Sequence, residues 1–298
     1  MVSAQQINQP IRHEANALAA NYPALLAEAE RVAAIAATGL HGRRKAGQGE
    51  TFWQYRPYQN TDAARRIDWR RSARGDSLFI RDNEWEAANT LYFWIDKNTG
   101  MNWKSQKKLP LKSDRAAIIS LALSKLLMKS GEHCTIMGLD SRSRTGRVGF
   151  DRLFEDFSIS KGTEDDFKSP IKAHSKVVIA SDFLGPLDDW KIKLAHLAAR
   201  PTKGILLHII DPAEIAFPYK GRLELKMPGL NALKSLIVGR AENSREQYQA
   251  RFERHIKDID ALAKSLGWHV VRHDTSKPAT HPMNALHGLL SGQTGMGR

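Results

Sequence analysis

From about residue 85 onward, apolar positions fall into two alternating patterns. Leu91-Tyr92-Phe93-Trp94-Ile95, Lys176-Val177-Val178-Ile179-Ala180 and Gly204–Ile210 are short, nearly continuous apolar runs. Such runs predict strands buried on both faces. His133–Leu139 is read as another strand, with Arg147–Phe150 pairing against it as a hairpin, and Trp268–Arg272 as the last strand. Between the runs lie longer segments of helical period. One starts near Ser113, whose hydroxyl is placed to cap the free N–H groups, and runs through Leu111–Ser130 to Gly131. It is apolar almost all round, which predicts packing on more than one side. Leu187–Ala199 is a helix stopped before Pro201. Ser244–Leu266 carries Tyr248, Phe252, Ile256, Ile259, Leu262 and Leu266 on one face, with capping-box spacing at Ser244 and Gln247 and a stop at Gly267. Leu223–Lys226 and Ser235–Val238 read as a small antiparallel pair, and Met283–Leu290 as a short helix. Strands alternating with helices predict an α/β fold with a doubly wound, mostly parallel sheet.

The first part of the chain breaks this rhythm. Residues 1–22 are polar and read as a loose arm, and Pro23–Ala37 as an alanine-rich helix stopped by Gly39 and Gly42. A basic, glycine-bearing loop follows. Residues 50–82 are dense in arginine and aromatics and suit short extended segments and turns, with a strand at Ser77–Arg81. Three parts are expected: an arm over 1–22, a helix with an arginine-rich extension over 23–84, and the α/β domain over 85–298.

Charge changes the picture more than composition does. The formal net charge is +13, which favours anionic partners (nucleic acid, anionic lipid or an acidic protein surface) without choosing among them. The single cysteine, Cys134, permits no intramolecular disulfide and reads as a buried strand residue. No signal peptide or membrane-spanning stretch is legible, so a cytoplasmic location is expected. No phosphate-binding glycine loop, nucleophile elbow or His-Glu-x-x-His zinc motif is visible. His208 lies inside a strand and reads as a core histidine. The expectation is a protein that is not an enzyme.

Asp96, Asp182 and Asp211 each directly follow an apolar strand. Sites in open α/β sheets form outside the carboxyl ends of the strands, and acids gathered there suit a hard cation such as Mg2+. Aspartate is equally a common strand terminator and helix cap, so spacing alone leaves both readings open.

Two segments resemble a known family. Arg56, Tyr58 and Arg66-Ile67-Asp68-Trp69-Arg70-Arg71-Ser72-Ala73-Arg74 resemble the signature of the bacterial family called domain of unknown function fifty-eight. The chain departs from it at Thr61-Asp62-Ala63, where the family has Gly-Asp-Asp. Asp96-Lys97-Asn98-Thr99-Gly100-Met101 resembles the first metal loop of von Willebrand factor A domains, Asp-x-Ser-x-Ser, with Asn98 and Gly100 in place of the serines. Asp182, Asp211-Pro212-Ala213-Glu214 and Pro218 also suit the pattern. The resemblance implies a sheet of von Willebrand factor A type and a metal site, degenerate or live, at Asp96, Asn98 and Asp182, with Mg2+ as its ion. It also implies a MoxR-type AAA+ ATPase as partner, and hence an adaptor in assembly or maturation of a client complex. The alternatives are a basic nucleic-acid-binding protein and, last, a metal-dependent hydrolase.

Arg65, Arg66, Asp68, Trp69, Arg70, Arg71 and Arg74 form a compact arginine-rich stretch. Arginine's planar fork suits carboxylates and phosphates. The stretch is either a structural clamp, with Asp68 paired to an arginine and Trp69 packed on the core, or a partner-binding surface. Nucleic-acid binding through the interleaved aromatics is a third reading.

Overall fold

The structure is a computed structural model, and it describes residues 27–37, 52–57, 69–73, 78–83, 90–139, 143–226 and 235–290. The expected arm over 1–22 and the basic loop after Gly42 lie outside the described residues. The chain divides into two compact units. One comprises Met1–Gly39 with Asn89–Arg298, and the other Leu40–Ala88.

In the smaller unit, β1 (Phe52–Pro57) pairs antiparallel with β2 (Phe79–Asn83). The short helix α2 (Trp69–Ser72) lies between them in sequence. Ser72 is buried, and its hydroxyl oxygen accepts a 2.9 Å hydrogen bond from the Phe79 amide, tying helix to strand.

The larger unit is built on a five-stranded sheet ordered β4-β3-β5-β6-β9, with every neighbouring pair parallel. The strands are β3 (Thr90–Ile95), β4 (His133–Ile136), β5 (Lys176–Ser181), β6 (Lys203–Ile210) and β9 (His269–Asp274). Their apolar runs follow from burial on both faces. Trp94, Val177, Ile179 and Leu206 pack with Trp190, Leu194 and Leu197 of α5 (Leu187–Ala198) and with Ile259 and Ala263 of α7 (Arg245–Ser265). The alternate residues, Phe93, Ile95, Val178 and Ala180, point the other way by the two-residue period of a strand, toward α3 (Lys112–Lys129). Four elements surround α3: the sheet, α4 (Gly146–Ile159), α8 (Met283–Leu290) and α1 (residues 27–37), the last through an ion pair between Lys125 and Glu30. This explains why α3 is apolar nearly all round. The small helix α6 (Pro212–Ala216) follows β6, and β7 (Leu223–Lys226) pairs antiparallel with β8 (Ser235–Val238) as expected. Among the described residues no helix is long and apolar enough to cross a membrane.

Three local expectations are corrected. Arg147–Phe150 is not a strand but the start of α4, and only a single bridge joins Cys134 to Arg144. Phe150, Leu153 and Phe157 recur at helical spacing and are buried, whereas Val148 is exposed, so the period is that of a helix face. His133–Leu139 ends as a strand at Ile136, because the chain turns at Gly138, whose φ of +83° favours glycine. Neither proposed serine cap forms. Ser113 lies inside α3, where its amide donates to the Met101 carbonyl and the Lys112 amide to the Trp103 carbonyl. Ser244 ends a 3-10 turn (Ala241–Ser244) that runs directly into α7, so it lacks the extended backbone that a cap needs.

One close approach fixes the edge of the sheet. A Cβ at Gly204 would stand 2.0 Å from the Trp268 ring, so only glycine lets β6 pass beneath that indole.

Candidate functional site

Sheet order reverses direction between β3 and β5: β3 leads through α3 to β4 on one side, and β5 through α5 to β6 on the other. Such a reversal opens a crevice at the carboxyl ends of the two strands. Asp96 follows β3, Asp182 follows β5 and Asp211 follows β6, and all three are buried. The acids read from sequence therefore do gather on one rim, beneath the loop of residues 97–111.

Each acid is already engaged. The Asp96 carboxylate accepts from the Asn98 amide (2.9 Å), the Asn98 side-chain NH2 (2.8 Å) and the Ser181 hydroxyl (2.7 Å). Asn98 spends its other end accepting from the Met101 amide at 2.9 Å. Asp211 caps α6 by accepting from Ala213 (2.9 Å), and its second oxygen accepts from the Ser105 amide (3.0 Å), pinning the loop across the rim. Glu214 completes the capping box by accepting from the Asp211 amide at 2.8 Å.

The residue that organises the centre is Lys112, at the first turn of α3. It is 1% exposed. Its ammonium donates to Asp182 at 2.8 Å and to Glu214 at 2.5 Å, and lies 5.8 Å from the Trp103 ring centroid. Asp182 Oδ2, the oxygen that Lys112 holds, lies 2.8 Å from where a Cβ on Gly100 would stand. A side chain at position 100 and the Lys112–Asp182 pair therefore compete for the same space.

The electrostatics follow from burial. Burial alone would push the Lys112 ammonium down, but the Asp182 and Glu214 carboxylates outweigh it and hold the group above the ordinary lysine value. Burial raises Asp96, a shift opposed by the Ser181 and Asn98 hydrogen bonds and reinforced by the neighbouring Asp182 charge. Burial likewise raises Glu214, and Lys112 works against that shift. Lys112 and Glu214 were not among the site residues singled out from sequence. The available signal was a lysine in the first turn of an otherwise apolar helix. A cation there opposes the helix dipole, so a lysine buried at that place needs an anion.

The donor set does not suit the Mg2+ expected at Asp96, Asn98 and Asp182. A hard divalent ion asks for several free oxygen ligands in near-octahedral order. Both ends of the Asn98 amide are used, Gly100 has no side chain to offer, and an ammonium already sits on Asp182. Among the described residues, no group of three or more His, Cys, Asp or Glu side chains is arranged to hold a metal ion.

Above this closed network the rim is basic and partly apolar. Trp103, Lys104, Lys107 and Lys108 are exposed on the pinned loop, Leu184 is exposed on the loop after β5 and Ile215 on α6. A half-open cleft of about 470 Å3 adjoins the ends of β6 and β9, lined by Ile210, Ile215, Phe252 and Ile256 together with Arg272 and Lys277.

Of the arginine-rich stretch, Arg65, Arg66, Asp68 and Arg74 lie outside the described residues, as does the Arg71 side chain. Trp69 is 65% exposed and Arg70 is exposed. Cys134 is fully buried, and burial pushes its thiol up to about 12, which keeps it an unreactive core group.

The fold and rim together define a parallel α/β protein with a closed acid cluster at its switch point, two of whose carboxylates are paired to a buried lysine. The chain belongs to the family described as protein of unknown function DUF58, whose model matches residues 54–258. No curated protein and no solved structure matches the chain.

Proposed function

We propose that this is a bacterial, cytoplasmic adaptor of von Willebrand factor A type, and that it docks a MoxR-type AAA+ ATPase on the rim during assembly or maturation of a client complex. The observation that carries the reading is the loop over residues 97–111. It is fixed from below by the Ser105–Asp211 bond and by Lys112 under Trp103, and it presents Trp103, Lys104, Lys107 and Lys108 outward. A rigid loop with one aromatic anchor and several cations suits an acidic protein surface, because complementary charge steers encounter while a packed aromatic supplies affinity. The polar groups beneath are consumed by one another, which suits a binding platform better than a reaction centre. The resemblance to von Willebrand factor A domains, whose strand-end rim binds partners, points the same way.

The test is affinity capture from an extract of the native source. The wild-type chain is expected to enrich an AAA+ ATPase. Combined Lys104→Glu, Lys107→Glu and Lys108→Glu substitution is expected to cut that recovery on the order of tenfold, equivalent to about 1.4 kcal/mol. Failure to enrich any AAA+ ATPase, or equal recovery by the triple variant, counts against the reading. One alternative is nucleic-acid binding, which the net charge of +13 suits as well as it suits an acidic protein surface. That alternative requires a mobility shift at low salt that weakens steeply as salt rises.

A further inference from the structure

We propose that the Lys112 ammonium is the rim's own resident cation, doing the work a divalent ion would do at a cluster of buried acids and making the rim independent of metal. The inference stands on the geometry alone and does not depend on the adaptor reading.

Asp96, Asp182, Asp211 and Glu214 converge at the ends of three adjacent parallel strands, and three of them are nearly or fully inaccessible to water. Buried carboxylates need charge compensation or protonation. A protein has two ways to supply a cation there: bind one from solution, or bring one on a side chain. Here the second way is built. Lys112 Nζ bridges Asp182, directly after β5, and Glu214, on α6 after β6, and so joins the two segments as a bound ion would. The surrounding residues agree with a cation that is never exchanged. Gly100 leaves room for the Asp182 carboxylate to swing onto the lysine, since a Cβ there would approach Asp182 Oδ2 to 2.8 Å and Asn98 Oδ1 to 3.0 Å. Asn98 turns its NH2 toward Asp96, donating where a metal ligand would have to accept. Trp103 lies over the ammonium and closes it from the outside. Four separate positions, 98, 100, 103 and 112, thus favour an ammonium and work against a divalent ion.

The consequence is functional. A rim that borrows its cation from solution changes state with metal supply and is emptied by chelators. A rim whose cation is covalently attached is always loaded, and whatever it binds is held equally well with or without divalent ions.

The experiment is titration of the full chain with Mn2+, followed by the electron paramagnetic resonance signal of the free ion, together with thermal unfolding of Lys112→Ala. Wild type is expected to leave the Mn2+ signal undiminished and its unfolding temperature unmoved by Mn2+ or chelator. Lys112→Ala is expected to unfold at lower temperature and to regain stability with added methylammonium, which refills the vacated position, more than with Mn2+, which Asn98, Gly100 and Trp103 still disfavour. Stoichiometric Mn2+ uptake by wild type that disappears in Asp96→Ala or Asp182→Asn would overturn the proposal. So would a Lys112→Ala protein as stable as wild type and indifferent to methylammonium. If Lys112→Ala does not fold, the wild-type titration decides by itself. Loss of partner capture by the loop-lysine variant has no bearing on either arm, so failure of this inference and failure of the adaptor reading are distinguishable.

Discussion

Replacing Lys112 with methionine is expected to destabilise the larger unit by about 3–5 kcal/mol, the range found when one partner of a buried ion pair is removed and the other charges are left behind. The aliphatic stem and most of the packing survive in methionine. What disappears is the ammonium between Asp182 and Glu214. For a unit of this size the loss corresponds to a fall in unfolding temperature of roughly 6–20 °C. The origin of the effect can be isolated. In a background of Asp182→Asn and Glu214→Gln the ammonium has already lost both carboxylates, so the same lysine replacement is expected to cost far less or to stabilise, and the difference between the two backgrounds measures the coupling. Equal losses in the two backgrounds would show that Lys112 acts through its bulk and not through its charge. Denaturant unfolding of the four proteins measures the cycle.

Acid is expected to destabilise the fold well above the range in which carboxylates titrate. His208, in β6, is fully buried with its ring edge-on to Phe183. Burial, reinforced by the Arg272 cation and opposed by Asp182, holds it down to about 3. His273, in β9, is also buried, neither ring nitrogen is hydrogen-bonded to a described residue, and burial with the Arg115 cation holds it down to about 4. An unfolded histidine titrates near 6.5. These are depressed values, so both rings stay neutral in the folded protein while the unfolded chain takes up protons as pH falls. Their contribution to stability is intact above about pH 6.5 and is lost progressively as pH drops toward the folded values. At about pH 5.5 the loss is about 1.4 kcal/mol per histidine, or about 3 kcal/mol for the two. Asp96, Asp114 and Glu214 are shifted upward and oppose the trend, but only below their own raised values. The unfolding temperature measured from pH 7 to 5.5 should therefore fall, and His208→Leu should remove a substantial part of the slope, the rest coming from His273 and from His287, which burial also holds down. A flat profile over that interval would mean that the rings are hydrated or charged in the native state.

The strands and most helices were legible because their signal is periodic and local. A continuous run such as Leu91–Ile95 has few solutions other than a strand buried on both faces, and the face of α7 repeats at helical spacing for its full length. Where the reading failed, a second rule competed. Val148-Gly149-Phe150 alternates like a strand over three residues, and only the longer spacing of Phe150, Leu153 and Phe157 reveals α4. Ser113 and Ser244 have the composition of caps, but the carbonyls of Met101 and Trp103 and a preceding 3-10 turn reach those helix starts first. The site shows the same division. Three aspartates after three strands mark the rim from sequence, and Asn98 and Gly100 mark it as altered. That the alteration has a partner at Lys112 was not legible, because Lys112 and Asp182 are separated by 70 residues and meet only once α3 is folded against the sheet.

The most direct measurement is nitrogen-15 NMR of the lysine side-chain ammonium groups. A lysine ammonium held between two buried carboxylates exchanges its protons slowly and gives a resolved signal, unlike the exposed lysines of the loop. One such signal, lost in Lys112→Met and unchanged in the presence of excess Mg2+, is the expected result. The absence of any protected signal, or a signal that shifts or vanishes when Mg2+ is added, would contradict a resident ammonium at the rim.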